Sequence, residues 1–113
     1  MYMQHQTIVI YEPRRGQSLF LDWMLGMQDV KARGTIRARI NRLELGNFGD
    51  CKSVGAGVLE LRISYGPGYR VYFGRAASTV VVLLWGGKKS SQSRDIVRAK
   101  LLWKEYKDAS QKL

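Results

Sequence analysis

Histidine, cysteine and proline are nearly absent from this 113-residue chain, at one, one and two residues. A single cysteine, Cys51, allows no internal disulfide and no cysteine-based metal cage. The single histidine, His5, reads as an exposed or strand-end residue, and a serine triad without a histidine base has no obvious assembly here. Acidic residues are also scarce, nine against 19 lysines and arginines. Those nine show neither metal-ligand spacing nor the paired acids of a glycosidase cleft. No apolar run approaches the roughly 20 residues that a membrane-spanning helix needs. The longest, Val80 to Trp85, is strand-sized. The N-terminus lacks the basic region, apolar stretch and small-residue cleavage site of a secretory signal. These absences predict a soluble cytoplasmic protein with no membrane partner, no metal and no cofactor.

What is abundant is positive charge. The net charge of +10 favours a polyanionic partner, either nucleic acid or an acidic protein, over a merely solvated basic surface. The length fits one compact domain over residues 1–113, and 45% hydrophobic residues are enough for a real core.

"QTIVIY", Gln6 to Tyr11, is β-branched and predicts a first strand. Leu19, Phe20, Trp23, Met24 and Met27 then recur at helical spacing. Asp29 is placed to cap a second helix, with Ile36, Ile40 and Leu43 along one face and Gly46 at its end. These two predict a helical hairpin packed on a sheet. Gly46 to Gly57 reads as a glycine-rich connection, with Lys52 near or on the next strand; it matches neither a P-loop nor a dinucleotide fingerprint. "STVVVLLW", Ser78 to Trp85, lacks alternation, as a strand covered on both faces does. Gly86 and Gly87 are expected to end it and bend the chain. Ser91 or Ser93 can cap a final helix with a stripe of Ile96, Ala99, Trp103 and Tyr106. The predicted order is strand, two helices, three strands, helix.

The first two of those three strands form the most informative stretch, "ELRISYGPGYRVYF", Glu60 to Phe73. Period-2 alternation puts Leu61 and Ile63 on one face with Tyr69, Val71 and Phe73, and Glu60 and Arg62 on the other with Arg70 and Tyr72. A three-residue loop, Gly66 to Gly68, would pair Ile63 with Val71 and set Arg62 opposite Tyr72. Arg62 and Arg70 are then expected on a polar, solvent-facing surface. Substitutions there usually change stability within about 0.5 kcal/mol.

Lys88 and Lys89, just after the last strand, converge on that surface in this reading. Such a cluster can hold a phosphodiester and the negative charge that builds as it is attacked. Tyr72 can stack on a base or move a proton. A purely structural role is the alternative, with Arg62 paired to Glu60 or Asp95. Without a metal or a histidine, RNA is the natural substrate, because its 2′-hydroxyl supplies an internal nucleophile.

"GDCKSVGAGVLELRISYGPGYRVYF", the hydrophobic strand after it, "GGKKSSQSRDI" and the terminal helix together resemble the phage-derived addiction-module killer proteins. These belong to the RelE/ParE toxin superfamily, close to HigB. The resemblance covers nearly the whole chain. It implies an α+β fold with a small curved antiparallel sheet, an N-terminal helical hairpin and a C-terminal helix. It implies the toxin of a type II toxin–antitoxin pair, a ribosome-dependent endoribonuclease cutting mRNA. Its partners would be mRNA, the ribosome and a cognate helix-turn-helix antitoxin from the adjacent gene. Arg62 and Arg70 match the arginines that contact the scissile phosphate, and Lys88 or Lys89 matches the basic position after the last strand. Asp95 falls where relatives keep a catalytic or positioning side chain. Catalytic candidates are therefore Arg62, Arg70, Tyr72, Lys89 and Asp95, with Lys52, Lys88 and Arg94 as RNA-binding candidates. RelE relatives carry a tyrosine and HigB relatives histidines where this chain reads Ser93-Arg94-Asp95-Ile96, so the general base stays open between Tyr72 and Asp95. ParE relatives share the fold, lack the nuclease site and inhibit DNA gyrase; that is the alternative, beside an inactive nucleic-acid-binding remnant of a phage.

Overall fold

The computed structural model describes residues 4–111. Strand β1 (Thr7–Ile10) leads to helices α1 (Leu19–Leu25) and α2 (Val30–Glu44). Strands β2 (Cys51–Gly55), β3 (Val58–Ile63), β4 (Tyr69–Ala77) and β5 (Val80–Lys88) follow, then a 3₁₀ turn (Lys89–Ser91) and helix α3 (Gln92–Gln111). The five strands form one sheet in the order β1-β5-β4-β3-β2. The fold is α+β.

Local chemistry sets the helix boundaries. Ser18 Oγ accepts from the Leu21 amide and Asp29 Oδ1 from the Ala32 amide, each at 3.1 Å, so both helices start on a side-chain cap. At the end of α2, the Gly46 amide donates to the Leu43 carbonyl and the Asn47 amide to the Arg42 carbonyl. That bond pair is a Schellman motif, and it needs a residue at positive φ; Gly46 sits at +93°.

The sheet has a core on each face. Leu61, Ile63, Val71, Phe73, Val81 and Leu83 face Phe20, Met24, Ile36 and Leu43 of α1 and α2. Val58, Tyr72, Val82 and Leu84 face Ala99, Leu102 and Trp103 of α3. Strand β5 is apolar on both sides because both sides are covered, and it lies inside the sheet, between β1 and β4, as its lack of alternation predicts.

Several expectations need correction. The sheet is mixed, because β1 runs parallel to β5. A helical hairpin is not evident: α1 is a short helix packed chiefly on β5, whereas the longer α2 lies against β3. The glycine-rich connection contains strand β2, a short edge strand that exists by pairing with β3 rather than by an apolar pattern of its own. Strand β5 does not stop at Trp85. Gly86 and Gly87 continue it to Lys88, and they are small to admit neighbours: a Cβ on Gly86 would enter the Trp23 ring, and one on Gly87 would meet the Asp95 carboxylate. Neither serine caps α3 in the expected way. The 3₁₀ turn runs directly into the helix, Ser93 lies inside it, and Ser91 Oγ donates to the Asp95 carboxylate and the Lys88 carbonyl.

The β3–β4 register also differs. The Gly68 amide donates to the Tyr65 carbonyl at 2.9 Å, closing a β-turn over Gly66 and Pro67, with Gly66 and Gly68 at φ +53° and +81°. The turn removes Tyr65 from the ladder, so Ile63 pairs with Tyr69 and Leu61 with Val71. A slip of two residues leaves every side chain on its predicted face. It changes who stands opposite whom: Arg62 faces Arg70, and Glu60 faces Tyr72.

Candidate nucleic-acid interface

The polar face of β3 and β4 is covered by the start of α3. Its centre is Glu60, a carboxylate 0% exposed. It accepts from Arg62 Nε at 3.0 Å, Tyr72 Oη at 3.0 Å and Gln92 Nε2 at 2.8 and 3.1 Å. Arg70 Nε lies 3.7 Å away, an ion-pair distance without a hydrogen bond. Burial pushes the Glu60 carboxyl up, but the hydrogen bonds from Gln92, Arg62 and Tyr72, with Arg70 beside them, outweigh it and hold it below the ordinary glutamate value.

That shift has a pH signature. A carboxyl with a depressed folded-state pKa adds stability above its ordinary value of 4.5, and the contribution is lost as pH falls through the lower folded value. Acid unfolding of the wild type should therefore steepen below about pH 4.5. In Glu60→Gln this component should vanish from urea midpoints measured across that window; an unchanged acid limb would contradict it.

Each sequence-predicted residue has a distinct place. Arg62 is half-buried, with its Nε on Glu60; its two terminal nitrogens have no hydrogen-bond partner among the described residues. Below it, Arg39 of α2 donates Nη1 to the Arg62 carbonyl and Nη2 to those of Phe48 and Asp50, pinning this end of β3. Arg70, expected at the surface, is buried at 9% exposure, with Nη1 donating to the Tyr69 carbonyl. Tyr72 is fully buried and cannot stack on a base. Burial, and then the Glu60 charge its hydroxyl is bonded to, raise its pKa far above the ordinary tyrosine value, so it is not a base at neutral pH.

Asp95 is buried as well, accepting from Trp85 Nε1 at 3.0 Å and from Ser91 Oγ. Its carboxylate lies against Gly87, the partner of Arg70 across β4 and β5. Gly87→Ala should displace Asp95 and the start of α3, at about 1–3 kcal/mol for overpacking. Thermal melting checks this; an unchanged midpoint would show that the helix start tolerates the shift.

Lys89 is exposed, and its Cβ packs by Gly68 close to Arg70 Nη1. Lys89, Gln92 and the exposed Arg94 line one polar groove of about 290 Å³. Lys52 stands opposite Glu60 on edge strand β2 and is exposed. Lys88 does not join them. It pairs with Tyr69, whose side chain faces α1, so the register assigns Lys88 to the other side of the sheet.

Sequence reading missed Gln92 and undervalued Glu60. The available signal was a charged residue held between Leu59 and Leu61 on the arginines' face. Chemically, the arrangement fixes cations: an anionic hub orients two guanidinium groups, with Lys52, Lys89 and Arg94 around them. Every carboxylate and phenol within it is already engaged. Among the described residues no cluster of three or more His, Cys, Asp and Glu could hold a metal ion, and no helix is long and apolar enough to cross a membrane.

No family model matches the chain. It is 50% identical over 86 residues to an uncharacterized protein of Haemophilus influenzae, across 76% of this chain and 87% of that one. The chain belongs to the same family as that Haemophilus influenzae protein.

Proposed function

We propose that this protein is the toxin of a type II toxin–antitoxin module of the RelE/HigB kind, a ribosome-dependent endoribonuclease that cuts mRNA and blocks translation. The observation that carries the reading is the pair Arg62 and Arg70, directly opposite on adjacent strands and oriented by one buried carboxylate. Attack of an RNA 2′-hydroxyl on its neighbouring phosphorus, its proton passing to water, expels the 5′-oxygen, which takes a proton from water, and leaves a 2′,3′-cyclic phosphate. The transition state gathers charge on the phosphoryl oxygens. The terminal nitrogens of Arg62 and the Lys89 ammonium are the groups to receive it. Tyr72 and Asp95 have structural partners of their own, so this cluster supplies phosphate binding and charge stabilisation, and neither residue serves as general base. The partner proposed to silence it is a helix-turn-helix antitoxin from the adjacent gene.

One observation favours the gyrase-inhibitor alternative: a cluster whose acids and phenol are all engaged offers cations for binding and no free side-chain base for catalysis. Induced expression separates the two. The nuclease reading expects amino-acid incorporation to stop and new mRNA 5′ ends to appear inside translated codons. Continued translation with collapsing DNA supercoiling would replace it with gyrase inhibition, and normal growth would leave a non-toxic nucleic-acid-binding protein.

A further inference from the structure

Helix α3 carries an outward face that the cluster at its start does not use. Val97 and Leu101, one turn apart, are 61% and 55% exposed, unusual for large aliphatic side chains on an amphipathic helix. They border a groove of about 450 Å³ that reaches the edge of Trp103 and is closed by Ala56 at the β2–β3 turn. Lys100, Lys104 and Lys107 frame it, and no acidic residue lines it. Lys107 rests over the Trp103 ring, and Lys104 is shared with Asp108 one turn on.

We infer that this groove docks an acidic amphipathic helix of a partner protein, with apolar side chains on Val97, Leu101 and the Trp103 edge and carboxylates on the lysines. Charge complementarity selects the occupant. A phosphate backbone would use the lysines but gain nothing from two exposed aliphatic side chains. A second copy of this chain, packed symmetrically, would set the three lysines against the same three lysines. A partner helix with apolar residues at i and i+4 and acids beside them satisfies both halves of the surface. The inference rests on the α3 surface alone and stands or falls separately from the toxin reading.

The test is selection of short helical peptides from a displayed library on the wild-type protein, followed by affinity measurements on variants. Leu101→Asp changes an exposed residue and should leave the fold intact, as melting would verify. The expected result is a set of peptides with paired apolar residues flanked by Asp and Glu. They should lose about tenfold or more in affinity for Leu101→Asp and for Lys100→Glu with Lys107→Glu, and none for Leu25→Asp, which alters an exposed leucine at the end of α1. The inference is overturned if no peptides enrich, if the winners are not acidic, or if they bind wild type and Leu101→Asp alike. Loss on Leu25→Asp instead would also overturn it. So would a dimer, or capture on anionic vesicles, that depends on Leu101.

Discussion

Glu60→Ala is expected to lower stability by about 3–5 kcal/mol, the range for removing one partner from a buried charge cluster. The side chain is fully buried, and four others depend on it. Without the carboxylate, the Tyr72 hydroxyl loses its acceptor inside the core, Gln92 loses its tie between α3 and β3, and the two guanidinium groups face each other uncompensated. In a domain of this size such a loss lowers the melting midpoint by roughly 15–30 °C. Glu60→Gln keeps the shape and one acceptor oxygen, so its loss should be smaller. Thermal and urea unfolding of both variants measure the effect. A Glu60→Ala protein as stable as wild type would mean that the cluster does not hold α3 to the sheet.

Arg62→Ala should behave in the opposite sense, with a small cost in stability and a large one in function. Its ion pair with Glu60 is one-third exposed on the arginine side, where such pairs contribute up to about 1 kcal/mol. Its terminal nitrogens are the ones available to a phosphate. Removing a charge-assisted contact to a transition-state oxyanion costs about 2–4 kcal/mol, or roughly 30-fold to 1000-fold in rate. Arg62→Lys should recover only part of this, because a point charge has neither the planar fork nor the Nε donor that Glu60 orients. For the proposed nuclease, rates of mRNA cleavage on programmed ribosomes measure the loss. Equal rates for wild type and Arg62→Ala would remove this residue from the site.

Arg70 departs from Arg62 although alternation puts both on one face. The strand pattern shows which side chains share a side; it cannot show what covers that side. The start of α3 packs over Glu60 and Tyr72 and turns a polar strand face into core. Nothing within "ELRISYGPGYRVYF" encodes that contact, which comes from a residue 32 positions away. Arg70→Ala should therefore cost stability as well as function, unlike the surface change its sequence context suggests.

The same distinction between local and distant signals runs through the fold. Asp29 and Gly46 act within a few residues of themselves, and the boundaries of α2 were legible from them. The unbroken apolar run of β5 foretold a strand buried on both faces. Strand β2, in contrast, is four residues and a glycine with no apolar pattern, and only its ladder with β3 makes it a strand. The parallel pairing of β1 with β5 joins segments about 70 residues apart and leaves no mark in either. The glycine pair in "GGKKSS" looks like a bend and is instead two close contacts, with Trp23 on one side of the sheet and Asp95 on the other.

The face bearing Arg62 is proposed to grip a phosphate and not merely to hold the sheet together. The most direct measurement pairs thermal melting of purified Arg62→Ala with growth arrest when the same variant is expressed. Arg62→Ala is expected to melt within a few degrees of wild type and no longer to arrest growth. A folded variant that still arrests growth would contradict it, and so would one that loses activity only because it no longer folds.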